Sequence, residues 1–137
     1  MTARFVDTNV LLYAVSTDAA EERKASVARE LLTDRDLVLS VQVLQEFYVQ
    51  ATRSTRAHRF EPDQAAALVD AFTRFRVIDN TTAILRQAMA TQERWRISFW
   101  DASVIEAARA AGCTELLSED LADGQDYDGV VVRNPFA

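Results

Sequence analysis

Ala3-Arg4-Phe5-Val6-Asp7-Thr8-Asn9-Val10-Leu11-Leu12-Tyr13-Ala14-Val15 sets two apolar runs on either side of three polar residues. The pattern reads as a short buried strand, Ala3-Arg4-Phe5-Val6, whose end feeds directly into a helix. Thr8 or Asn9 can cap that helix, because side-chain oxygens there accept backbone N–H groups that have no partner in the first turn. Asp7 then stands at the carboxyl end of the strand, where open α/β sheets place their ligands. Asp7 can equally be the cap itself, and the stretch alone leaves both readings open.

The same alternation continues along the chain. Asp18-Ala19-Ala20-Glu21 has capping-box form and opens a helix to about Leu32, with Val27, Ala28 and Leu31 apolar. Leu37-Val38-Leu39 is a second strand. Ser40 caps a helix through about Arg53, with Val41, Leu44, Phe47, Tyr48 and Ala51 inward. Pro62 at a first helical position starts a helix to about Arg74, with Ala66, Leu68, Val69 and Phe72 inward. Arg76-Val77-Ile78-Asp79 is a third strand, and Thr81 or Thr82 begins a helix ending near Trp95. A last helix runs from Ser98 to Gly112, followed by strands at Thr114-Glu115-Leu116-Leu117 and Val130-Val131-Val132. Strands alternating with helices predict one α/β domain over residues 1–137, with a mainly parallel central sheet and helices on both faces. Right-handed crossovers bring the carboxyl ends of its parallel strands to one edge. Asp7 and Asp120 both follow strands and belong there.

The Ser98 helix carries an anomaly. Trp100, Val104, Ile105, Ala108 and Ala111 recur at helical spacing and define one apolar face. Asp101 lies on that face, with Val104, Ile105 and Ala108 as its i+3, i+4 and i+7 neighbours. A carboxylate turned toward apolar surroundings is costly unless it is paired. The plain alternative makes Ser98 the cap and Asp101 the acidic third residue of a capping-box-like start. Placing Asp7 and Asp120 at the same edge weakens that alternative.

Composition narrows the function. The chain has 137 residues, 49% of them hydrophobic, which is enough for a packed core. No apolar run approaches the roughly 18 residues of a membrane span, and no signal peptide is visible, so a cytoplasmic protein is expected. Cys113 is the only cysteine and His58 the only histidine, which excludes a Cys/His zinc cluster and an internal disulfide. The net charge of −6 argues against holding nucleic acid by bulk electrostatics. The basic connection Arg53-Ser54-Thr55-Arg56-Ala57-His58-Arg59 still offers Arg53, Arg56 and Arg59 as phosphate contacts, the plain alternative being a solvated loop. Several carboxylates converging on one edge repel one another, an arrangement suited to a hard cation such as Mg²⁺ or Mn²⁺.

Phe5-Val6-Asp7-Thr8-Asn9-Val10-Leu11, Glu46 in the Ser40 helix, Phe99-Trp100-Asp101-Ala102, Leu117-Ser118-Glu119-Asp120 and the closing Val132-Arg133-Asn134-Pro135-Phe136 together resemble the PIN-domain ribonucleases. Within them the chain is most similar to the VapC-type toxins of bacterial toxin–antitoxin pairs. Each motif is short, and it is their order, spacing and span over nearly the whole chain that make the resemblance specific. It implies metal-dependent hydrolysis of RNA, with Asp7, Glu46, Asp101 and Asp120 as catalytic acids holding Mg²⁺ or Mn²⁺. It also implies Thr8, Asn9 and Ser118 as supporting polar residues, a small antitoxin as partner and a homodimer. Glu46 rests on the resemblance, since periodicity alone makes it a surface residue. Asp123 stands as a substitute or assistant for Asp120.

Rival patterns fail on particular residues. A haloacid-dehalogenase-like phosphatase calls for a second Asp where Asn9 stands. A phosphorelay receiver calls for a late Lys, and the only one is Lys24. An EF-hand aligned on Asp126, Asp128 and Gly129 begins at Gly124 and ends at Pro135, so these acids read as a solvated loop. An RNA-processing nuclease without toxicity, and a non-catalytic partner-binding domain whose acids only cap helices, remain the alternatives.

Overall fold

A computed structural model describes residues 3–137. The elements, in order, are β1 (Arg4–Val6), α1 (Thr8–Ala14), α2 (Glu22–Leu31), β2 (Leu37–Ser40), α3 (Val41–Ala51), α4 (Pro62–Phe72), β3 (Arg76–Ile78), α5 (Thr82–Trp95), α6 (Phe99–Ala110), β4 (Glu115–Leu117), β5 (Asp126–Tyr127) and β6 (Val130–Arg133). They form a six-stranded sheet of order β3-β2-β1-β4-β6-β5. All pairings are parallel except β5 with β6.

The strand order determines where the helices go. The chain steps from β1 to β2 to β3 in one direction, then returns across the sheet to β4. Right-handed crossovers therefore put α1–α4 on one face and α5–α6 on the other. The packing agrees: α1 meets α2 and α3, α3 meets α4, and α5 lies along α6. With both faces covered, the central strands are apolar throughout. Phe5, Val6, Leu37, Val38, Leu39, Leu116 and Leu117 are all buried. Phe47 adds a fully buried ring from α3 and meets Phe72 of α4 edge to face at 5.1 Å. Burial of a side chain of that size contributes about 1.5–3 kcal/mol. Among the described residues no helix is long and apolar enough to cross a membrane.

Local chemistry sets the helix ends. Ser40 Oγ accepts the Val43 N–H, Thr81 Oγ1 the Ile84 N–H, and Ser98 Oγ the Asp101 N–H. Pro62 is the first residue of α4, and Glu61 and Gln64 complete a capping box there. Gly112 follows α6 at φ +78°, a left-handed position that suits a residue without a side chain.

Several expectations are corrected. The cap of α1 is Asp7, whose carboxylate accepts the Thr8 N–H at 2.8 Å, and neither Thr8 nor Asn9. Asp18 does not form a capping box with Glu21. It accepts the Ala20 N–H and starts a 3₁₀ turn over Ala19–Glu21, while Glu21 takes the Ser16 hydroxyl. Tyr48 and Ala66 are exposed, because Gln42 and Val43 on α3 and Ala65 on α4 occupy the inward arcs instead. Trp100 is 63% exposed and leaves the inward face of α6 to Val104, Ile105 and Ala108. The acidic segment near the end is an edge hairpin. Tyr127 pairs with Val130 around Asp128-Gly129, both at positive φ as a two-residue hairpin turn requires.

Candidate active site

β1 and β4 are neighbours, yet the chain leaves β1 toward β2 and leaves β4 toward β6, on opposite sides. This reversal opens a crevice at the carboxyl ends of the two strands, the place where such sheets bind ligands. Asp7 follows β1 and Ser118 follows β4 at this point. A cavity of about 270 Å³ lies here, and Asp7, Glu46, Asp101 and Asp120 all line it, with Thr8 and Asn9.

Asp7 is the most constrained of the four acids. It is 5% exposed, and one carboxylate oxygen caps α1 while the other accepts the Ser118 hydroxyl at 2.7 Å. The Asn9 amide nitrogen stands 3.2 Å from both Ser118 Oγ and Asp120 Oδ2, and the Asp120 N–H donates to Ser118 Oγ at 3.1 Å. Asn9 and Ser118 thus tie the ends of β1 and β4 together and fix Asp7 relative to Asp120. Asp7 thus caps α1 and lines the cavity at the same time.

Glu46 is only partly buried, one turn along α3 from Gln42. Gln42 is 5% exposed and spans two elements: its amide donates to Glu46 Oε1 at 2.8 Å and to the Trp100 carbonyl of α6 at 3.2 Å. The sequence reading passed over Gln42, although its i, i+4 spacing to Glu46 was the available signal. Asp101 projects from the first turn of α6. Its backbone N–H satisfies the cap, which leaves its carboxylate for the cavity. Asp123 is turned away from the cavity and accepts the Asn134 N–H at 2.9 Å.

The electrostatics are strained. Burial, opposed by the Ser118 and Thr8 hydrogen bonds and reinforced by Asp120 and Glu46, raises the Asp7 pKa to about 7. Burial also raises Glu46 and Asp101; Gln42 and Ser98 oppose the two shifts respectively, while Asp120 adds to both and Asp101 adds to that of Glu46. Among the described residues none of the four carboxylates has an ion-pair partner. Glu119, which also lines the cavity, is different. Burial pushes it up, but Lys24 at 2.8 Å and the Tyr13 hydroxyl outweigh burial and hold it below its ordinary value. The hydroxyl oxygen of Thr8 is buried and has no hydrogen-bond partner among the described residues.

These features suit a hard divalent cation. The donors are oxygens, three carboxyl groups are held away from easy ionisation, and a buried hydroxyl stands without a partner. Among the described residues no three His, Cys, Asp or Glu side chains are gathered closely enough to cage an ion. An ion bound here would keep waters beside one or two carboxylates, which is the habit of Mg²⁺.

The basic connection divides. Among the described residues Arg56 is the one cation lining the acidic cavity, Arg53 lines an adjoining open groove, and Arg59 turns to Glu61 at 3.5 Å. Replacing Gln42 by Met keeps the volume but strands Glu46 without its donor. Cleavage is expected to fall about tenfold or more with a stability cost near 1 kcal/mol, measured by RNA cleavage and thermal melting. Unchanged cleavage would make Gln42 a packing residue only.

An α/β domain with an acid-lined cavity at its topological switch point defines the class. The chain belongs to the PIN domain family, whose model matches residues 4–122. Among solved structures, a toxin–antitoxin complex from Klebsiella pneumoniae is similar at 21% identity, covering 98% of each chain with a TM-score of 0.71. A DNA-bound VapBC from Salmonella typhimurium is similar at 20% identity, covering 98% of this chain and 99% of that one, with a TM-score of 0.68. A Mycobacterium tuberculosis VapC, described as a sarcin-ricin loop cleaving toxin, is similar at 23% identity over 86% of this chain and 90% of its own, with a TM-score of 0.68. No curated protein matches the chain significantly.

Proposed function

We propose that the chain is a Mg²⁺- or Mn²⁺-dependent ribonuclease that hydrolyses RNA phosphodiester bonds as the toxin of a toxin–antitoxin pair. Membership of the PIN domain family and the fold shared with VapC structures support this reading. The observation that carries it is the set of four carboxylates that line a single cavity without an ion-pair partner among the described residues. A small antitoxin as inhibitor, a homodimeric state and a cytoplasmic location belong to the same proposal. Leu85 and Met89, one turn apart and exposed on α5, offer apolar surface for a contact between copies.

Asp7 and Asp101 would hold the cation, with Glu46 and Asp120 binding directly or through water. A cation held by these residues would supply a water of lowered pKa and positive charge beside the phosphate. The chain's own residues do the rest. Ser118 and Asn9 hold Asp7 and Asp120 in place, and Gln42 aims Glu46. Arg56 brings positive charge to a wall that otherwise repels RNA.

Purified protein is expected to cleave RNA with Mg²⁺ or Mn²⁺ and to lose at least about 100-fold of its rate in chelator, recovering when the ion is returned. Full activity with negligible metal content would overturn the cation. Cleavage without growth arrest on expression would favour an RNA-processing role over toxicity.

A further inference from the structure

Among the described residues Trp100 is the most exposed large apolar side chain, at 63%. It stands on the rim between two depressions. One is the acidic cavity, and the other is a groove between α3 and the start of α6 lined by Gln45, Val49, Gln50 and Arg53. Glu46, Gln50 and Trp100 line both, so the two are continuous. The polar groups change character across the rim. Carboxylates dominate the cavity, while the groove adds neutral amides and one guanidinium to the shared Glu46. Among the described residues the side chains of Gln50 and Arg53 make no hydrogen bond or ion pair, whereas Gln42 is committed to Glu46 and to the Trp100 carbonyl. That carbonyl bond and the edge-to-face contact with Phe99 at 5.2 Å anchor the base of Trp100 while leaving its ring open to solvent.

The geometry points to Trp100 as the platform on which an unpaired nucleobase of the RNA stacks beside the acidic cavity, with Gln50 and Arg53 meeting the edge of that base. An indole face stacks on any base. Amide and guanidinium groups hydrogen-bond base edges that only a splayed, single-stranded nucleotide presents. Arg53 and Arg56 flank the path with positive charge for the phosphates on either side of that base. The inference rests on the ribonuclease reading and names the residue that would hold an unpaired base of the substrate. A duplex keeps its bases stacked inside and has none to offer the ring.

The test measures binding of a fluorescein-labelled single-stranded 12-mer RNA of mixed sequence, in Ca²⁺ and with its integrity checked afterwards. Its duplexed form is measured alongside. The proteins are wild type, Trp100→Leu and Trp100→Phe, each of which keeps its fold because the side chain is exposed. Trp100→Leu should weaken single-strand binding about 10- to 100-fold and abolish the quenching of indole fluorescence by RNA, while Trp100→Phe restores most of the affinity. Wild type should bind the duplex as poorly as Trp100→Leu does. Equal affinity of wild type and Trp100→Leu for the single strand overturns the stacking role while leaving the nuclease reading intact. Failure of wild type to bind or cleave any RNA overturns the nuclease reading beneath it.

Discussion

Asp7→Asn is expected to abolish RNA cleavage and to remove most of the pH dependence of stability in the metal-free protein. The catalytic loss follows from position. Asp7 is buried at the end of β1, held by Ser118 and facing a cavity whose other acids cannot move into its place. Losing the several kcal/mol of charge stabilisation that a correctly held cation provides corresponds to about 10³-fold or more in rate. The stability effect follows from the pKa, raised from 3.8 to about 7 chiefly by burial. Between those values the folded protein holds a proton that the unfolded chain has released, so stability falls as pH rises through the window. At about 1.4 kcal/mol per pH unit the span is on the order of 4 kcal/mol. Glu46 and Asp101, also raised, add to the slope with the same sign. Asp34 and Glu119, both lowered, act in the opposite sense and lose stability as pH falls. Asn at position 7 can still accept the Thr8 N–H but forfeits the bond from Ser118, so the flattening is the firmer signature than the absolute gain. Denaturant unfolding in chelator from pH 4 to pH 8 measures it. A wild-type curve that stays level across that range, or an Asp7→Asn curve that falls as steeply as wild type, would refute the buried-proton account.

The parallel sheet was legible because its strands are short apolar runs separated by good caps. Ser40, Thr81, Ser98, Pro62 and Gly112 each mark an end by a local rule, and each stands at the end it marked. The convergence of Asp7 and Asp120 followed from topology, since parallel strands share one carboxyl edge, whereas Asp101 was marked by its place on the apolar face of its own helix. Glu46 was not visible to periodicity. It lies off the centre of the apolar face of α3, and only tertiary packing brings it to the cavity, with a buried Gln42 as its neighbour. Trp100 was misplaced for the converse reason. Helical spacing assigns a residue to an angular sector, and in the first turn of α6 that sector opens on the cavity, the groove and solvent. The β5–β6 hairpin was overlooked because Asp126 and Asp128 suggested a solvated loop, although Asp128-Gly129 between Tyr127 and Val130 is itself a hairpin signal. Separating Arg56 from Arg53 and Arg59 required the path of the connection after α3, which short-range pattern does not encode.

Asp101→Asn and Ser98→Ala, two changes three residues apart, should have opposite consequences. In the structure the cap and the carboxylate share one hydroxyl but are held differently. Ser98 Oγ accepts the Asp101 N–H at 3.0 Å and also favours the ionised Asp101 carboxylate, which lines the cavity. Removing the cap exposes a helix donor and should cost about 1 kcal/mol, with or without divalent cation, while folded protein retains cleavage. Removing the charge leaves the cap in place. Burial and the neighbouring Asp120 disfavour ionisation of Asp101, so Asn should leave the chelated protein as stable as wild type, or more stable by at most about 1 kcal/mol after solvent screening. Saturating Mg²⁺ should reverse that order. Wild type gains about 2.7 kcal/mol when the free ion reaches 100 times its dissociation constant, and the variant, with one ligand fewer, gains less. Cleavage by Asp101→Asn should be lost at every Mg²⁺ concentration that supports wild type. Melting curves for the three proteins in chelator and in Mg²⁺, beside a cleavage assay, decide the matter. If Asp101→Asn cleaves near the wild-type rate and gains as much from Mg²⁺, then Asp101 serves only the start of α6. The acidic site would then rest on Asp7, Glu46 and Asp120 alone.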